Sequence, residues 1–138
     1  MASVVTVKGA KQVISKFRKI SQVAARDLGF AVFASAQSIE KKAKRTVHSS
    51  HNPWPGREKN RPQSDHLYNG IEAVKLGVYN WVVTASSIRG GADKEYAHFE
   101  EEGTSKAPAH PYMRPSVPAG FLSAMNSLRA IKVRIESL

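Results

Sequence analysis

The sequence predicts an α+β fold: a basic N-terminal helix or helix pair, a small antiparallel sheet of about three to four strands, and a C-terminal amphipathic helix packed on that sheet. Three observations carry this. Apolar and small residues recur at three- and four-residue steps from Val13 to Ile39 and again from Phe121 to Ile135, two β-rich runs lie between them, and a proline-rich segment separates the first helical stretch from those runs. At 138 residues the chain suits a single domain spanning 1–138, with a long basic loop at about 47–66.

Ser3 to Val7 is short and β-branched and is read as a strand or extended arm. Val13, Phe17, Ile20, Ala24, Leu28, Ala31, Ser35 and Ile39 then lay one stripe along a helix, with Lys11, Lys16, Arg18, Lys19 and Arg26 mostly on its other faces. One helix, or two joined near Ser21, both satisfy this pattern, because Ser21 can cap a second helix and Gly29 weakens an interior by about 1 kcal/mol. The stretch ends in Lys41, Lys42, Lys44 and Arg45.

From His48 to His66, Pro53, Pro55, Gly56 and Pro62 forbid a helix or a central strand, leaving a loop that carries Arg57, Lys59, Arg61 and a lone Trp54. Ile71 to Leu76 and Trp81 to Ala85 read as a hairpin around Gly77-Val78-Tyr79-Asn80, with Asn69-Gly70 a competing turn upstream. Tyr96 and Phe99 suggest a short helical turn before Gly103, and Pro108, Pro111 and Pro115 force an extended path. Ser116 then serves as N-cap and Pro118 suits a first turn, after which Phe121, Met125, Leu128, Ile131 and Ile135 keep one face apolar.

Composition narrows the function classes. The absence of cysteine removes disulfides, thiol nucleophiles and thiolate zinc sites. Leu28 to Ile39 is shorter than the roughly 20 apolar residues of a membrane span, and no signal-peptide pattern opens the chain, so a soluble, cytoplasmic product and no membrane partner are expected. The net charge of +10 is uneven: residues 1–62 hold 13 basic and 3 acidic side chains, residues 63–138 hold 8 of each. A clustered field of this kind suits a polyanion such as DNA or an acidic patch on a neighbour, and solvation of helix faces accounts for it equally.

Chemistry-bearing constellations are weak. Glu100, Glu101 and Glu102 beside His98 point in different directions on a helix or a strand and cannot converge unaided. His48, His51, His66, His98 and His110 show no paired metal spacing, and no phosphate loop or nucleophile elbow is present. No catalytic, cofactor-binding or metal-binding residue, no cofactor and no small-molecule substrate are therefore assigned.

The order Leu67-x-x-x-Ile71, then Tyr96-Ala97-x-x-x-Glu101-x-Gly103-Thr104, then Pro111-Tyr112-Met113-Arg114-Pro115 resembles the neck and tail-completion family of tailed bacteriophages. The chain departs from that family's Thr-Gly-x-Leu-Arg before the first strand, where Ser64-Asp65-His66-Leu67-Tyr68 stands, and Asn69-Gly70 replaces a more usual small pair. The resemblance implies a non-enzymatic virion protein that forms a ring, a hexamer first among closed arrangements, at the head-proximal end of the tail. Its partners would be copies of itself, the connector or stopper, the tail terminator, the tail tube and DNA in the channel, with assembly in the host cytoplasm.

On that reading Tyr96, Phe99, Glu100, Glu101, Glu102, Thr104, Pro111, Tyr112, Met113, Arg114 and Trp54 are expected to contact neighbouring subunits. Lys41, Lys42, Lys44, Arg45, Arg57, Lys59 and Arg61 are expected to face DNA. The competing classes are a free basic nucleic-acid-binding protein without sequence preference and, third, a small hydrolase using His98 and the glutamates.

Overall fold

The computed structural model describes residues 9–49, 66–106 and 108–138. Ser3 to Val7, Trp54, Arg57, Lys59 and Arg61 lie outside the described residues. The chain is α+β: α1 (Ala10–Ser49), α2 (His66–Asn69), β1 (Ile71–Gly77), β2 (Asn80–Ala85), α3 (Ala97–Glu102) and α4 (Val117–Glu136), the last entered through a 3-10 turn over Arg114–Ser116.

The first helical stretch is one helix of 40 residues, so the break near Ser21 does not form. At 1.5 Å per residue it is about 60 Å long, twice α4. Gly29 is tolerated within it because the hairpin loop packs there: the Tyr79 hydroxyl donates to the Ala25 carbonyl at 3.1 Å, and the rings of Phe33 and Trp81 lie 4.8 Å apart.

β1 and β2 pair antiparallel from Ile71↔Ala85 to Gly77↔Asn80, with an irregularity between Lys75 and Gly77. The described residues hold these two strands, fewer than the three to four expected. The open edge of β1 faces α1, where Glu40 accepts the Ala73 N–H at 3.1 Å while receiving Lys44 Nζ at 2.7 Å. Beyond the hairpin the chain crosses itself so tightly that only glycine fits. A Cβ on Gly90 would stand 1.5 Å from the His66 carbonyl oxygen, and one on Gly70 would stand 1.7 Å from that of Ser86.

α4 runs antiparallel along α1 rather than on the sheet, with Gly120 beside Ser35 and Ile39 at one end and Arg134 paired with Asp27 at 2.8 Å at the other. Arg134 and then Arg26 hold the Asp27 carboxyl below its ordinary range. The seam closes at Gly120, which meets the Ser35 carbonyl and the Ile39 side chain, and Ser116 at the entry to α4 is small and buried too. Gly120 sets which face of α4 turns to α1, and Phe121 and Leu128, expected to face inward, point outward, 69% and 45% exposed. The principal core sits elsewhere, where Ala43, Val47, Leu67, Ile71, Ala97 and Tyr112 meet beneath the hairpin. No helix among the described residues is long and apolar enough to cross a membrane.

Candidate assembly surfaces and the carboxylate latch

The segment from Glu95 to Ser116 is held by two carboxylates. Glu95 receives the Ser86 hydroxyl at 2.6 Å and the backbone N–H groups of Ser87 and Ala97, both at 3.0 Å. These bonds, the Ser86 hydroxyl foremost, hold its carboxyl well below the usual range. Buried Ser87 completes the clasp, its Oγ 2.8 Å from Glu95 Oε1 and accepting the Tyr96 N–H at 2.8 Å.

Glu101 reaches across to the 3-10 turn that leads into α4, accepting the N–H groups of Tyr112 (2.8 Å), Met113 (2.9 Å) and Arg114 (3.0 Å). The first turns of a helix leave such donors without intrahelical partners, and negative charge is favoured there. Partial burial raises the Glu101 carboxyl, but the bonds from Met113, Arg114 and Tyr112 outweigh it and bring it below the ordinary value. The expected cap, Ser116, does not act as one. Its backbone is already helical, and its hydroxyl donates back to the Tyr112 carbonyl. The Tyr112 ring is buried and its hydroxyl donates to the Ala97 carbonyl at 3.1 Å; burial, and then the nearby Glu101 charge, raise its pKa.

Three consecutive glutamates thus divide as their directions require. Glu101 turns inward; Glu102 turns out to Arg114 at 3.3 Å; Glu100 makes no side-chain hydrogen bond among the described residues. Of the residues expected to meet a neighbour, Glu101 and Tyr112 spend their polar groups within the chain, and Tyr96 and Met113 pack against the core. Phe99, Glu102, Thr104, Pro111 and Arg114 are exposed. The acidic trio forms no metal site, and among the described residues no three His, Asp or Glu side chains converge.

The basic run also divides. Lys44 is taken by Glu40 and lies 5.5 Å from the Tyr68 ring centre. Lys41, Lys42 and Arg45 face away from the sheet, into a groove between α1 and α4.

A second surface was legible in the sequence only as part of a core stripe. Residues 10–19 of α1 are exposed on every side, with Val13, Ile14 and Phe17 at 54%, 52% and 68%. Val117, Phe121 and Leu128, at i, i+4 and i+11, make another exposed apolar strip on α4. No protein-family model, curated protein or solved structure matches this chain.

Proposed function

We propose that this chain is a non-enzymatic assembly subunit that closes a ring at the head-proximal end of a bacteriophage tail, completing its apolar core against copies of itself. One observation carries the assembly part: the all-round exposure of α1 from Ala10 to Lys19. The arm continues a helix that is already nucleated, so its backbone does not require a partner; its uncovered apolar side chains Val13, Ile14 and Phe17 do. Val13, Ile14 and Phe17 are a little over half exposed, so covering what they still show to water, at about 1.5–3 kcal/mol for a wholly exposed side chain, stabilises a contact by roughly 3–5 kcal/mol before the cost of association. The tail-completion setting rests on the ordered signature from Leu67 to Pro115, and the exposed Phe99, Glu102 and Arg114 supply a second, differently charged surface, as a head-to-tail ring requires.

The test is the mass of the purified chain in solution, by sedimentation velocity or native mass spectrometry. The expected result is a closed oligomer that Phe17→Asp reduces to monomer, while helical content outside the arm is retained. A wild-type chain that is monomeric at all concentrations, or an oligomer indifferent to Phe17→Asp, refutes the assembly reading. Absence of the chain from purified virions refutes its placement in the tail.

A further inference from the structure

We infer that the groove between α1 and α4 binds the phosphate backbone of duplex DNA, with Lys41, Lys42 and Arg45 on one wall and Ser123, Asn126 and Ser127 on the other. The groove holds about 490 Å³, and each wall is a single helical face, at i, i+1, i+4 on α1 and i, i+3, i+4 on α4. Such facing stripes normally carry apolar seam residues; here, beside Ala119 and Leu122, they carry three cations and three neutral donors. The walls converge because Gly120 lets α4 approach Ile39, where a Cβ would stand 2.4 Å from the Ile39 side chain.

Nothing among the described residues satisfies these groups. Lys41, Lys42 and Arg45 form no ion pair, whereas Lys44 beside them does. Ser35, Ser38, Thr46 and Ser116 each return their hydroxyl to the carbonyl four residues earlier; Ser123 and Ser127, half-buried on the groove wall, do not. A wall of unspent hydroxyl and amide donors opposite unspent cations matches the mixed Lys, Arg, Ser and Asn contacts that position phosphates. From Lys41 to Arg45 the helix rises about 6 Å, enough for the two cations to reach neighbouring phosphates of one strand. No aromatic side chain lines the groove, so it offers bases nothing to stack on and suits the outside of a duplex rather than a single strand. The inference is independent of the ring proposal, because it needs only the α1–α4 pair within one chain.

The experiment measures binding of a short labelled duplex of arbitrary sequence to the full-length protein by fluorescence anisotropy across a salt series, with the mass of each variant recorded alongside. Each neutralised cation should lower the log–log salt slope by about 0.9, so Lys41→Gln, Lys42→Gln and Arg45→Gln together remove about 2.7. From about 50 to about 200 mM salt, wild type should then lose about fortyfold more affinity than the triple variant. Ser123→Ala with Asn126→Ala and Ser127→Ala should weaken binding severalfold at an unchanged slope. The single Lys and Arg variants alter exposed side chains one at a time and read the same slope change in portions, independently of the triple variant's folding.

Three results would overturn the inference. The first is no duplex binding at low salt. The second is an equal loss of slope from Lys11→Gln, Lys16→Gln and Lys19→Gln, which would assign binding to diffuse charge. The third is a triple variant whose DNA binding is intact but whose oligomeric mass falls, which would make the occupant a carboxylate of another copy.

Discussion

Replacing Glu101 with alanine removes the acceptor for three backbone N–H groups at once, those of Tyr112, Met113 and Arg114. Loss of an ordinary N-cap costs about 0.5–2 kcal/mol, and a bond to a charged acceptor is worth about 1.5–3 kcal/mol when well buried. The Glu101 side chain is 13% exposed but its bonds lie at the surface end of the helix, so about 1 kcal/mol per bond is the appropriate scale, or about 3 kcal/mol in all. For a chain of this size that lowers the thermal midpoint by about 10 °C. Glu101→Gln keeps a carbonyl acceptor without the charge and should lose about half as much.

The neighbouring glutamates are the internal controls. Glu100→Ala and Glu102→Ala remove the same charge from the same helix yet should each stay within about 0.5 kcal/mol of wild type, because Glu102 makes only an exposed pair with Arg114. Urea unfolding at fixed protein concentration gives all four values. Repeating it at high salt separates a local bond from general charge balance in a chain of net charge +10. A Glu101→Ala chain within 0.5 kcal/mol of wild type, or three glutamates with equal effects, would refute the latch.

Two further outcomes follow from the same geometry. Glu95 and Glu101 titrate below their ordinary 4.5 in the folded chain, so the unfolded chain takes up protons first as the pH falls through that value; the urea midpoint should be flat above about pH 5.5 and fall from about 4.5 downward. A Glu95→Gln, Glu101→Gln double variant should flatten much of that acid limb, and an unchanged limb would show that other carboxylates govern it. Gly120→Val should cost about 1–3 kcal/mol by overpacking against Ile39, and Ile39→Ala in the same chain should recover part of the loss in a double-mutant cycle. Additive effects would mean that α4 does not approach α1 at Gly120.

The hairpin and both long helices were legible because each is written in local period: β-branched alternation in Ile71 to Ala85, three- and four-residue steps elsewhere. The uninterrupted course of α1 was not, because Ser21 and Gly29 carry local break signals that the hairpin packing at Ala25 and Phe33 overrides. Ala43 hides within the basic run and Val47 lies just beyond it, yet both belong to the principal core. Ser116 has the residue type of a cap for the last helix but makes no cap bond, and the side-chain acceptor is Glu101, which holds the 3-10 entry instead and lies 11 to 13 residues upstream of the N–H groups it accepts. No local rule pairs residues so far apart. The split among Lys41, Lys42, Lys44 and Arg45 likewise depends on where Glu40 and α4 stand.

The signature that suggests a tail-completion protein is therefore largely a set of instructions for attaching the last helix. Tyr96 packs, Glu101 caps and Tyr112 fills the core. Residues with such duties specify a fold, whereas the proposed recognition of a neighbour and of DNA is assigned to side chains that the fold leaves unspent: Val13, Ile14 and Phe17 on the arm, and Lys41, Lys42 and Arg45 in the groove. The three groups should then fail separately. Arm substitutions change mass, groove substitutions change salt-dependent DNA binding, and latch substitutions change the unfolding midpoint. A Glu101→Ala chain that lost its oligomeric mass at full thermal stability would break that separation and move the latch to a subunit boundary.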